Sequence, residues 1–119
     1  MAGELVPVVL FSRYTTLAGP TTFETLPLDV RAYSEAILNL WRGPLNGPFP
    51  AVAFETLQSV DRVGWSQCPG PQLVDPGANT EAQYLWGLTK PWFRLRVIGL
   101  GPDFGVTFWA QGFLVKRER

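Results

Sequence analysis

Apolar and polar residues alternate over short stretches of this chain, and glycine or proline interrupts the alternation at intervals of roughly ten to twenty residues. The clearest stretch is Trp92–Ile98, where Phe93, Leu95 and Val97 fall on one side of an extended backbone and Arg94 and Arg96 on the other. That is the pattern of a strand with one buried face. Gly101–Gly105 then supplies a turn and Val106–Val115 continues as a long strand, so the two are expected to pair as a C-terminal hairpin. From Leu28 to Trp41 the chain has neither Gly nor Pro, yet Leu28, Val30, Ala32, Ala36, Leu38 and Leu40 all occupy even positions. Period two fits this segment better than period 3.6, with room for at most a helical turn near Ser34. Further strands are expected at Leu5–Phe11, Thr21–Leu26, Ala36–Arg42, Ala51–Leu57 and Gln83–Leu88. The sum is an all-β fold, an antiparallel β-sandwich or jelly roll of about seven or eight strands. Pro7 cannot donate to a ladder and places the first strand at an edge. Gly64–Gly77, with Pro69, Pro71 and Pro76, reads as a long loop, a class of segment that commonly carries contacts.

Composition narrows the picture. At 119 residues, 46% hydrophobic and 17% charged, the chain is expected to form a single domain over residues 1–119 with one core. Ten basic and ten acidic residues cancel, which argues against a nucleic-acid partner, since displacing counterions from phosphates needs a basic surplus. A neutral surface also favours self-association. The one basic cluster, Lys116-Arg117-Glu118-Arg119, reads first as a solvated end, with Arg117 and Arg119 as its candidate contacts. Arginine outnumbers lysine eight to two, and guanidinium forks suit packed interfaces. Apolar runs fall well short of the roughly 20 residues of a membrane helix, and Met-Ala-Gly-Glu-Leu lacks the basic and apolar regions of a secretory signal.

Chemistry is constrained mainly by what the sequence lacks. Without histidine, the commonest general base and metal ligand are missing together. A single cysteine, Cys68, rules out an intrachain disulfide and reads as a free structural thiol in a loop. Asp103-Phe104-Gly105 spells a kinase tripeptide by chance, and Gly99-Leu100-Gly101 leads into a strand, with no helix N-terminus to hold a phosphate. The carboxylates show no spacing that singles out a catalytic pair or a cation loop. No catalytic group, metal or cofactor is expected.

The aromatic set stands out: five Trp, eight Phe and three Tyr. A sandwich of this size does not easily bury five indoles, so one or two are expected at the surface as contact anchors, Trp65 first. Asp61 and Arg62 beside it, and Arg94 and Arg96 on the later strand, complete the expected partner-binding set with Arg117 and Arg119.

The run Phe54–Asp61 through Trp65, followed by Trp92–Val97 with its alternating arginines, resembles discoidin or galactose-binding-like jelly rolls. That resemblance implies a carbohydrate-binding module using Trp65, Asp61 and Arg62. In size, neutral charge, cysteine poverty and missing catalytic groups, the chain also resembles small β-domain structural proteins of tailed phages and related particles. This second resemblance implies a non-enzymatic subunit of a virion-like assembly, such as a capsid decoration protein or a tail component. It would bind copies of itself and a shell or tube protein, and be located in the virion. The decoration reading is the leading expectation and the carbohydrate module its rival.

Overall fold

The computed structural model describes residues 4–68 and 74–117. Nine strands follow one another: β1 (Leu5–Ala18), β2 (Thr21–Glu24), β3 (Leu28–Asp29), β4 (Tyr33–Arg42), β5 (Ala51–Ser59), β6 (Ser66–Gln67), β7 (Thr80–Gly87), β8 (Trp92–Leu100) and β9 (Gly105–Lys116). Every expected strand is present, and β3 and β6, two residues each, are additional. No helix occurs among the described residues; the segment around Ser34 is extended, entered through a turn in which the Tyr33 amide donates to the Val30 carbonyl.

The strands form two antiparallel sheets, one ordered β1-β9-β4-β7 and the other β2-β8-β5-β6, with β3 also on β8. The chain is thus an all-β sandwich, as the alternation predicted. Its core is built from inward-facing positions two apart: Ala36, Leu38 and Leu40 on β4, Phe93, Leu95 and Val97 on β8, and Val106, Phe108 and Ala110 on β9, all buried. Aromatic pairs stitch the layers together. Phe108 meets Phe11 at 4.8 Å and Phe54 at 5.9 Å between ring centroids, and Trp86 lies 5.4 Å from Phe93. Burial of these rings is the main stabilising term, at roughly 25 cal/mol for each Å² of apolar surface removed from water.

The expected C-terminal hairpin does not form. β8 pairs with β2, β3 and β5, and β9 pairs with β1 and β4, so the two successive strands lie in different sheets. The reason lies in the connecting turn. Phe104 points inward and is 2% exposed. Its ring packs on Gly99, where an added Cβ would stand 2.4 Å from the ring. Gly101, at φ 112°, lets the backbone turn back toward Pro48 and Phe49. A buried aromatic at this point carries the chain across the interlayer space, whereas a hairpin tip would leave it in water.

Pro7 sits on the edge strand β1, as expected, opposite Phe113. β1 continues past Phe11 by means of register shifts at Val9/Phe11 and Phe11/Thr15. In the second shift Ser12, Arg13 and Tyr14 bulge outward, with Tyr14 at φ 62° and the Thr15 hydroxyl donating to the Ser12 carbonyl at 2.7 Å. At the centre of the same sheet β9 and β4 approach closely at Gly112, where a Cβ would fall 1.9 Å from the Ile37 carbonyl oxygen.

Gly112→Ala should therefore destabilise the fold by about 3 kcal/mol, the upper range for overpacking. Gly64→Ala, with open space around it, should change stability by less than about 0.5 kcal/mol. Urea unfolding of both variants measures the contrast.

Candidate functional site

Six of the seven residues expected to bind a partner lie among the described residues; Arg119 lies outside them. The structure gathers Arg62, Trp65, Arg94 and Arg96 around the outer face of the β2-β8-β5-β6 sheet, where each is engaged by groups of the same chain. Trp65 is half-buried, its Nε1 donates to the Arg62 carbonyl at 3.2 Å, and the Arg94 guanidinium covers its ring at 4.0 Å. Arg62, at φ 67°, places its own guanidinium 4.6 Å over Trp92. Contacts of this kind contribute roughly 0.5–1 kcal/mol each at the surface. Arg96 grips Glu55 at 2.6 Å and reaches Glu24 at 3.7 Å, while Arg94 meets Glu24 at 3.4 Å. Register explains the grouping, since Glu24, Arg96 and Glu55 occupy one cross-strand row on the same face.

Asp61 closes the turn after β5. Its carboxylate accepts from the Val63 and Gly64 amides at 2.9 and 3.0 Å, and these bonds hold its pKa below the ordinary value. Arg117 stands apart: its guanidinium donates to the Tyr33 carbonyl at 2.9 Å, and it lines an open recess of about 220 Å³ with Arg31, Thr89 and Lys90. Arg31 in turn clasps Asp29 at 2.6 Å, a hydrogen-bonded pair that lowers the Asp29 carboxyl to about 2.

None of the five indoles ranks among the exposed large apolar residues: Trp86 and Trp109 are buried and Trp41, Trp65 and Trp92 half-buried. Trp65, the expected surface anchor, is covered by Arg94, as Trp92 is by Arg62 and Trp109 by Arg13 at 4.7 Å. A sugar stacking on Trp65 would meet a guanidinium already seated on the ring.

The residues that sequence reasoning passed over lie on the other sheet. On the outer face of β1-β9-β4-β7 the register aligns Pro7, Phe113, Ile37 and Leu85 in one row across all four strands. The row on one side holds Leu5, Val115, Glu35 and Gly87, and the row on the other Val9, Gln111, Asn39 and Gln83. Glu35 is the single charge in these three rows. Leu5 is 51% exposed, Val9 59%, Leu85 58% and Phe113 38%, and a shallow cleft of about 210 Å³ indents the face beside Phe113. A solvated sheet face should alternate to polar, yet seven of these twelve positions are apolar, including the whole central row. The signal was present in the sequence: β4 carries apolar residues at both parities, with Ile37 and Trp41 between Ala36, Leu38 and Leu40, the pattern of a strand covered on two sides.

A larger groove, about 460 Å³, opens between β1 and β2–β3 and is lined by Val8, Leu10, Phe11, Phe23, Leu26 and Leu28. Its carboxylate, Glu24, is already paired with Arg94 and Arg96. Among the described residues no group of three or more His, Cys, Asp or Glu side chains could hold a metal ion, and no helix is long and apolar enough to cross a membrane. Cys68 is buried, with its amide donating to the Thr56 carbonyl at 3.0 Å, and burial pushes its thiol up to about 11. A protonated, enclosed thiol is a poor nucleophile.

One ion pair ties the segment following residue 73 to the four-stranded sheet. Arg42, on the inner face of β4 and 7% exposed, forks onto Asp75 at 2.5 and 2.7 Å and donates to the Gly43 carbonyl at 3.0 Å. The hydrogen bonds from Arg42 hold the Asp75 carboxyl below its ordinary range. Comparison with protein-family models, with curated proteins and with solved structures found no match.

Two outcomes follow from these environments. The Cys68 thiol should resist a disulfide reagent at pH 8 in the folded protein and react fully once unfolded, as a thiol-release assay reads directly. Because the Asp75 pKa is depressed by folding, its stabilisation is present above the unfolded value of 3.8 and is lost as pH falls through the folded value. Asp75→Asn should therefore be less stable than the parent at pH 7, with the gap narrowing below pH 3.8 in urea titrations across pH.

Proposed function

We propose that this protein is a non-enzymatic structural subunit that works through protein–protein contacts, using the outer face of the β1-β9-β4-β7 sheet to bind copies of itself. The observation that carries the reading is the row Pro7–Phe113–Ile37–Leu85 with its flanking rows, an exposed apolar face with one charge among them. Contiguous exposed patches of this kind mark interaction sites.

The face also complements itself. When two copies stack with a two-fold axis along the apolar row, each row of Phe113 lies over its mate. The Glu35 row then meets the amide row of the other copy, so Leu5 faces Val9 and Glu35 faces Asn39. No like charges meet; the central apolar row meets itself and Leu5 meets Val9, while Val115 lies over Gln111. The neutral net charge removes long-range repulsion between copies. By contrast, Arg62 and Arg94 of the other sheet are seated on Trp92 and Trp65, and Arg96 is held by Glu24 and Glu55, which leaves them less to offer a sugar or a partner.

A shell built of many identical subunits uses such a face in every copy, and the decoration layer of a virion-type particle belongs to this class.

Light scattering across a concentration series tests it. The native protein should show a discrete oligomer that Phe113→Lys lowers in mass without altering the far-UV spectrum or the unfolding midpoint by more than a few degrees. A monomer at every concentration, or an oligomer indifferent to Phe113→Lys, overturns the reading.

A further inference from the structure

The four sheet edges of the sandwich are unequal. β1 is guarded by Pro7, which has no amide hydrogen to offer, and by two register shifts that twist the strand away. The edge formed by β2 and β3 is broken into pieces of four and two residues with Pro27 between them. β6 is two residues long. Among the described residues β7 alone lacks protection: it runs eight residues, Thr80–Gly87, without proline or lysine, in unbroken register with β4, and Glu81 is its single charge. Among the described residues no backbone hydrogen bond reaches its outer edge.

Size supplies the second argument. Strands lie about 4.8 Å apart and same-face residues about 6.8 Å apart, so three rows across four strands project an area on the order of 400 Å². A specific interface buries about 800 Å² on each partner. The face of one copy is half what its proposed role requires.

We infer that β7 pairs antiparallel with β7 of a second copy across a two-fold axis perpendicular to the sheet, joining the two four-stranded sheets into one of eight strands. The inference rests on the apolar face being a contact surface and supplies what that face lacks. Both copies turn the face the same way, which doubles its area to about 800 Å². A two-fold axis through an antiparallel pair places residues of equal parity opposite each other. Centred on Gln83, the pairing sets Glu81 against Leu85 of the second copy; centred on Tyr84, it sets Glu81 against Gly87. In either register the two Glu81 carboxylates stay apart, and the unpaired amides and carbonyls of β7 gain partners.

Hydrogen exchange of the native protein, measured at low and high concentration beside its mass in solution, tests the pairing. The outward amides of β7 should exchange at least tenfold more slowly at high concentration, as the mass rises to the paired species. Gln83→Lys, which sets a charge on the edge, should restore fast exchange in β7. Phe113→Lys, remote from this edge, should abolish only the stacking of faces and leave the β7 protection in place. Exchange in β7 that is independent of concentration, growth without a discrete end point, or protection that survives Gln83→Lys and vanishes with Phe113→Lys would each overturn the inference. Loss of stacking with retained β7 pairing, or the reverse, tells its failure apart from that of the face.

Discussion

The sandwich depends on β8 and β9, two consecutive strands that each take the middle of a different sheet. Each is hydrogen-bonded on both sides and turns a row of apolar side chains, Phe93-Leu95-Val97 and Val106-Phe108-Ala110, toward the other layer. Everything else is arranged around them. The outer strands pair onto these two or onto their neighbours, and the aromatic contacts of Phe11, Phe54 and Trp86 converge on Phe108 and Phe93. Phe104 makes the arrangement obligatory, because a ring buried at the turn between the two strands needs walls on both sides.

The strands were legible because alternation is local, and a buried face writes itself into every second residue. Leu28 to Trp41 shows how far the signal reaches: even-numbered apolar residues identified β4 despite the long interval without Gly or Pro. Pairing is a different matter. A short glycine-containing turn between two alternating runs normally means a hairpin, yet which sheet a strand joins is decided by partners distant in the chain, Leu5 against Val115 and Glu55 against Arg96 among them. Phe104, in the middle of that turn, was the residue that could have corrected the reading, since a large apolar side chain does not belong at a solvated tip. β3 and β6 escaped because two residues cannot show a period.

The candidate site was hidden for a related reason. Tryptophan and arginine together suggest an interface by composition, and composition does not distinguish an arginine offered to a partner from one seated on its own tryptophan. Arg94 on Trp65 and Arg62 on Trp92 are of the second kind. The apolar row Pro7–Phe113–Ile37–Leu85 is assembled from four strands, and each contributes a residue unremarkable in its own segment. Only the register brings them together.

The pairing of β1 with β9 has a consequence in time. β9 follows all eight other described strands in the chain and inserts between β1 and β4, the strands that flank it. During synthesis the β2-β8-β5-β6 layer has all its strands once Leu100 has emerged, while the other layer is still split into an orphaned first strand and a β4–β7 pair. Such long-range closure is slow compared with local pairing. Phe113, at the centre of the apolar row, arrives with β9. The row Pro7–Phe113–Ile37–Leu85 therefore cannot exist in part-made chains: it is completed only when the two halves of its sheet are bridged, after every strand that precedes β9 has been made.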